Sequence, residues 1–389
     1  MPWKFLNLND PRAARFHAKR VAKIDRWWEA FQKRVPALDQ LFRRQTDWDL
    51  SRWMARNLQS INRNLMWEFG PNPEGGYQLI ITPENRKYLR PLVETILERA
   101  PHLPGWQFLP YRPAEPLDDA LDTVRARTDY DASDCQVQLR RNEAHGLDLL
   151  YHVPDALSGD DEMATASAWV VTECLVGETT LDHWVDTVQV TPEAGAGRWL
   201  PLDRLAETAH ALIQSVQDQL PATRYYELDR DQLSWNLFKV QPAEDAEDYP
   251  GTEDLLMGVS MIEDLWMNAH NGQPFYSLRY SNFGERFAYL KIDHADDWDV
   301  THFKSREDVE EALNQALIQA KLGCVIGGGT GRAYSYIDLA LVDVLPAFRL
   351  VQSLLREGRL PARTWLLFYD CEWSREWLGL YDETPPPPR

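Results

Sequence analysis

One pattern occurs near both ends of this chain: a glycine-marked turn, an apolar strand, an amphipathic helix and a strand led by tryptophan. Tyr77 opens the first apolar strand and Trp106 the closing one, while Tyr336 and Trp365 do so in the second copy, and both pairs lie 29 residues apart. The helices between them keep register, because Leu89, Leu92 and Ile96 fall opposite Phe348, Val351 and Leu355. Apolar residues three and four apart form one helix stripe, and a strand alternates its faces, so each copy must bury one helix face against one sheet face. The pattern predicts an α+β chain made of repeated ββαβ units, the parts of ferredoxin-like sandwiches. Such sandwiches host catalysis, sensing and protein binding alike, so fold class alone does not select a function.

The chain has 389 residues, more than the ~100–200 of one ordinary domain. We divide it into a helical N-terminal arm (1–64), a first α+β domain (65–222) and a second (223–389) that ends in a proline-rich tail. In the arm, Ala14, Val21, Ile24, Trp28, Phe31, Leu38, Leu41 and Phe42 recur at helical spacing, with Pro36 as an interruption, which predicts two or three helices. In the first domain, strands at 65–69, 77–82 and 106–112 enclose a helix at 85–99. Strands at 135–141, 147–153 and 184–190, with a helix from Glu162 to Val176, repeat the theme, so that 65–190 closes one sandwich; an amphipathic helix at 203–219 follows. The second domain opens with a strand at 234–240, an acidic loop (Glu244, Asp245, Glu247, Asp248, Glu253, Asp254) and a helix over 253–270. Strands at 275–281 and 286–293, a helix opening at Ser305 with Asp308 as capping partner, and a final ββαβ over 324–370 complete it.

No stretch reaches the ~18 apolar residues of a membrane span, and Met1 to Asp10 lacks the apolar core of a secretory signal, so we expect a cytoplasmic protein without a membrane partner. Cys135, Cys174, Cys324 and Cys371 stand alone without a CxxC pair, which predicts reduced thiols rather than zinc or disulfides. The net charge is -19, but residues 1–64 carry fourteen Lys and Arg against six Asp and Glu. A basic arm on an acidic body predicts that the arm lies on the body of its own chain or of a second copy, as a homodimer. The acidic remainder repels phosphates and makes nucleic acid an unlikely partner.

The run Gly327-Gly328-Gly329-Thr330-Gly331 lacks the following helix and Lys-Ser/Thr of a phosphate loop, so a turn or bulge between strands is expected there. His294 and His302 with Asp293, Asp296, Asp297 and Asp299 are the densest potential metal ligands, but they match neither calcium-loop order nor zincin spacing, and we assign no metal. His145 and His152 receive no ligand role. No GxSxG elbow or poised cysteine is present, and no catalytic residue or cofactor is assigned. Asp338, Asp343, Asp370 and Glu372 lie at strand ends; Asp338 is expected to face solvent by strand alternation, with a buried, partnered acid as the alternative. The strongest binding signal is aromatic: Tyr334, Tyr336, Trp365, Tyr369, Trp373, Trp377 and Tyr381 crowd the C-terminal region beside Arg332, Arg375 and Glu376, and interfaces favour Tyr, Trp and Arg. The candidate binding residues are Arg332, Tyr334, Tyr336, Trp365, Trp373 and Trp377; the alternative is that the segment 371–381 packs its tryptophans back on the body.

The stretch YQLIITPENRKYLRPLVETILERAPHLPGWQFLPYRPA (77–114), about a tenth of the chain, resembles a segment of uncharacterised bacterial proteins. The second half, with SWNLFKV, its acidic loop, GGGTGRAYSYID and the Trp-led last strand, is similar in element order to bacterial domains of unknown function that occur beside the regulator of ribonuclease activity B type. The resemblance implies an α+β sandwich in a bacterial cytoplasm and carries no catalytic residues across. Together these observations predict a non-catalytic binding or regulatory protein that meets a protein partner, a basic one by charge, through its acidic surface and C-terminal aromatic patch. An immunity or antitoxin-like inhibitor of a basic toxin or nuclease, and a hydrolase using carboxylates near Asp338 and Asp370, are the other two classes.

Overall fold

The computed structural model describes residues 3–6, 11–154, 161–230, 233–242, 248–270, 273–294 and 301–388. By internal contacts the chain divides at 218/219 into a unit of residues 18–218 and a unit of 219–389 that also takes the N-terminal seventeen residues.

Helix α1 (Pro11–Phe42) runs through Pro36 instead of stopping there. A proline inside a helix forfeits one hydrogen bond and crowds the preceding turn, and here the buried stripe of Ile24, Trp27, Trp28, Phe31 and Leu38 extends to both sides of it. A short helix α2 (Leu50–Asn57), capped by Asp49, follows. Next come β1 (Met66–Pro71), β2 (Tyr77–Thr82), α3 (Arg90–Glu98) and β3 (Trp106–Pro110), the predicted ββαβ. β1 pairs antiparallel and β3 parallel to β2, so that Tyr77 lies directly beside Trp106. Phe31 of α1 meets Trp106 edge-on at 4.9 Å, and the Trp28 indole packs on Phe108 and donates to the Ile96 carbonyl at 2.8 Å. Residues 18–64 therefore do not form a separate arm. Their aromatic face is spent on this sheet and is not free for a second copy.

Helix α4 (Leu117–Thr128) leads to β4 (Gln136–Arg141), β5 (Leu147–His152), α5 (Glu162–Val176), α6 (Glu178–Trp184), β6 (Val185–Thr191), the two-residue β7 (Leu200–Pro201) and α7 (Leu205–Gln217). The second ββαβ repeats the first, antiparallel then parallel, but forms its own sheet in the order β6-β5-β4-β7 beside the three-stranded β1-β2-β3. The expected single sandwich over 65–190 is thus two small sheets. Polar groups join their elements: the Arg112 guanidinium, 8% exposed, meets Glu68 at 2.7 Å and Glu173 at 3.0 Å and lies near Glu84 and Glu178, and Arg90 meets Asp182 at 2.9 Å.

The second unit holds β8 (Asn236–Lys239), β9 (Leu255–Ser260), α8 (Glu263–His270), β10 (Arg286–Asp293), α9 (Arg306–Ala320), β11 (Gly323–Gly331), β12 (Tyr334–Leu341), α10 (Val344–Glu357), β13 (Thr364–Phe368) and β14 (Trp377–Gly379). The helix expected over 253–270 is a strand followed by a shorter helix, and the strand expected at 275–281 is a single bridge at Phe275 followed by a 3-10 turn. The acidic loop shields a strand signal in Leu255–Ser260 that apolar content alone does not separate from a helix. One antiparallel sheet of seven strands results, in the order β14-β13-β10-β12-β11-β9-β8. Helices α9 and α10 cover one face through Val309, Leu313, Leu317, Phe348, Val351 and Leu355. An aromatic layer with α8 and preceding loops covers the other.

Candidate functional site

In this sheet β10 lies between the two strands that frame the repeat, so Lys291 is the direct neighbour of both Tyr336 and Trp365. The same sequence spacing that puts Tyr77 against Trp106 here leaves a gap of one strand, which a lysine fills. Lys291 has no exposed surface. Its ammonium lies 4.0 Å from the centre of the Tyr334 ring and donates to the Gly251 carbonyl at 2.9 Å and to the Tyr249 carbonyl. Burial pushes its pKa down to about 8, against the pull of Asp254 and Asp248. Asp254, also fully buried, accepts the Tyr336 hydroxyl and the backbone N–H groups of Ala333 (2.9 Å) and Tyr334 (3.0 Å). At the sheet end, Arg363 meets Asp248 at 2.9 Å and Asp293 at 2.6 Å.

One row further along, Asp338 is completely buried rather than solvent-facing. Alternation does place it opposite Ile337 and Leu339, but the face it reaches is covered by aromatic rings. Its Oδ1 accepts the Tyr369 hydroxyl at 2.7 Å. Trp266 approaches without reaching hydrogen-bond geometry, which leaves Oδ2 and the indole N–H unpartnered among the described residues. Burial pushes the carboxyl up to about 8, with Tyr369 and Trp266 acting in the opposite direction. The glycine run lies inside β11 and not in a turn, and the register of the sheet shifts at both of its ends, between Val325 and Gly327 and between Thr330 and Gly331, as the expected bulge would do. A Cβ at Gly327 would stand 2.7 Å from Asp338 Oδ2 and 2.5 Å from the Val259 carbonyl, and one at Gly331 would collide with the Asp254 carboxylate. These glycines admit acids to the sheet surface, a packing role unlike that of a phosphate loop.

The structure brings Tyr334, Tyr336 and Trp365 together around Lys291 but buries all three. Trp373 belongs to the helix-covered side, against Phe368 at 5.1 Å, and Trp377 is half-buried on β14 opposite Leu367. Arg332 alone of the six is exposed, in the β11–β12 turn, where its N–H donates to the Asp254 carbonyl at 3.1 Å. The six residues therefore form no continuous surface patch. Sequence reasoning missed Lys291 and Trp266 and placed Asp254 only in the acidic loop; the signal available was a lysine inside a strand whose two faces are both apolar.

Asp370, equally buried, accepts the Ser277 N–H at 2.8 Å and hydroxyl at 2.5 Å and pairs with Arg286 at 3.3 Å, a different set of partners from those of Asp338. A reacting group must be reachable by its substrate; these acids are held inside the core. His294 Nδ1 is 3.0 Å from the Ser335 hydroxyl, while Asp296, Asp297 and Asp299, like Glu244, Asp245 and Glu247, lie outside the described residues. Among the described residues no three His, Cys, Asp or Glu side chains group to hold a metal, the cysteines are free, and no helix is long and apolar enough to cross a membrane.

The other unit has a depression of about 180 Å³ on the four-stranded sheet, lined by Gln138, Arg140, Asp148, Leu150, Thr187 and Gln189. That is below the ~300 Å³ of ordinary small-molecule sites.

Of the large apolar side chains that the described residues expose, four gather on the β8–β9 edge. Leu237 is 64% exposed, Met257 43%, Leu256 42% and Trp235 38%. Leu237 pairs with Val259 and Lys239 with Met257, so these side chains share one face, opposite that of Phe238, while Leu256 is the extra residue of a bulge. Val240 donates its N–H to the Leu256 carbonyl at 3.1 Å. Because a strand's backbone groups alternate sides, the N–H and C=O of Leu237 and Lys239 point out from the sheet edge. No family model matches the chain, and neither a curated protein nor a solved structure matches it.

Proposed function

We propose that the chain is a non-catalytic binding protein, of bacterial cytoplasmic type, that takes an extended basic segment of a protein partner along β8. The supporting observation is the β8 edge itself, with outward backbone groups beside an apolar strip headed by Leu237. Exposed edges of this kind are usually blunted by charge or proline, and an added strand gains affinity from main-chain hydrogen bonds and specificity from alternate side chains. Charge selects a basic occupant, because the sequence from Leu233 to Met257 holds, besides the buried Asp254 and the Arg363-paired Asp248, four carboxylates against one lysine. The order β13-β10-β12-β11, with α9 and α10 as crossovers on one face, supports reading the core as a ferredoxin-like sandwich extended by β14, β9 and β8. Inhibition of a basic toxin or nuclease, the alternative that the acidity of the chain suggests, would use the same edge.

Hydrogen exchange with two synthetic peptides tests this, one alternating valine with lysine and the other valine with glutamate. Slowed exchange at the Leu237 and Lys239 amides with the lysine peptide alone is expected. Absence of protection by either peptide would remove the β8 assignment, and equal protection by both would remove the charge selection.

A further inference from the structure

Residues 3–6 belong to the same unit as 219–389 and lie along its C-terminal elements. The backbone N–H of Trp3 donates to Glu376 Oε1 at 2.7 Å, and those of Lys4 and Phe5 donate to Oε2 at 2.8 and 3.0 Å. Glu376 is 4% exposed. Burying a carboxylate is costly unless hydrogen bonds replace its water, and three successive N–H groups on one anion make such a replacement. The Phe5 ring, itself 4% exposed, stacks on Phe368 at 5.1 Å and meets Trp373 edge-on at 5.2 Å. The Lys4 ammonium lies 4.9 Å from the Trp373 ring centre, and the Arg286 guanidinium, held by Asp370 and Glu372, lies 4.4 Å from it. The slot thus reads a bent backbone with three convergent N–H groups through Glu376, an aromatic side chain through Phe368 and Trp373, and a lysine just before it through the indole face.

We propose that Glu376, Phe368 and Trp373 form a peptide-recognition slot for a bent lysine–phenylalanine segment of a partner protein, held closed in this chain by its own residues 3–6. The resident segment states the chemistry of the partner, and a lysine suits a chain of net charge -19. A tethered segment competes at high effective concentration, so an external one enters only when the resident is weakened. This inference rests on the Glu376 geometry and not on the β8 edge.

The test uses the full-length chain carrying Phe5→Ala and a fluorescent peptide of residues 1–10, followed by polarisation. Binding to Phe5→Ala roughly tenfold or more tighter than to wild type is expected, with loss of binding when the peptide's own phenylalanine is alanine. A Phe5→Ala protein with native circular dichroism that does not bind the peptide, or binds the alanine peptide equally, would overturn the proposal. Wild-type hydrogen exchange is the check that needs no variant: the Lys4 and Phe5 amides should be protected, and free exchange at both would overturn it as well.

Discussion

Asp338 shows how one side chain sets a pH response. In the fold it keeps its proton up to about 8 because burial opposes the charged form, whereas in the unfolded chain it releases it near the ordinary value of ~3.9. Between those limits the native state holds more protons, so stability falls as pH rises, on the order of 1 kcal/mol per pH unit. Glu310, pushed up to about 7 by burial, adds a slope of the same sign up to that pH. Asp338→Asn should flatten the decline, seen as a smaller loss of urea midpoint between pH 5 and 8; an unchanged slope would place the proton elsewhere. Gly327→Ala should cost roughly 1–3 kcal/mol, because its Cβ would overpack the Asp338 carboxyl and the Val259 carbonyl. Denaturant unfolding at fixed pH measures it.

Elements are held by two different means in the two units. In the 18–218 unit, Arg112 satisfies carboxylates from β1, α5 and α6 at once, and although burial would lower its pKa, Glu68, Glu173 and Glu178 together raise it above the arginine norm. Removing one partner from a buried ion cluster leaves uncompensated charge. Arg112→Ala should therefore cost about 3–5 kcal/mol, whereas Arg125→Ala, on an exposed pair with Asp131, should cost under ~1 kcal/mol. Comparable losses for both in thermal unfolding would contradict the hub role. In the 219–389 unit the aromatic layer and the helix layer hold one sheet from both sides, so β10, β12 and β13 are central strands with almost no exposed residue.

For the molecule as a whole, net charge of -19 at pH 7 disfavours self-association, and this restrains the apolar β8–β9 edge. Near the isoelectric point of about 4.9 that repulsion vanishes. Light scattering should then report association at pH 5 but not at pH 7, and Leu237→Lys should suppress it. Association that ignores Leu237→Lys would assign it to another surface.

The elements of the repeat were legible in the chain itself. Tyr77 and Tyr336, Trp106 and Trp365, and the stripe of Leu92, Ile96, Val351 and Leu355 all occupy the strands and helices their spacing implies, because local periodicity decides which face is buried. For the C-terminal aromatics the sequence left interface and burial both open, since Tyr, Trp and Arg enrich interfaces and cores alike, and the fold decides for burial at Trp365 and Trp373. Strand adjacency was not legible either: the same 29-residue spacing gives direct pairing of Tyr77 with Trp106, yet admits β10 and Lys291 between Tyr336 and Trp365. Which strand lies beside which depends on long-range hydrogen bonding and on how both sheet faces are covered. Local sequence sets the strand and its alternation; only the assembled sheet, with both faces covered, makes core residues of Lys291 and of Asp338, which alternation alone would leave facing solvent.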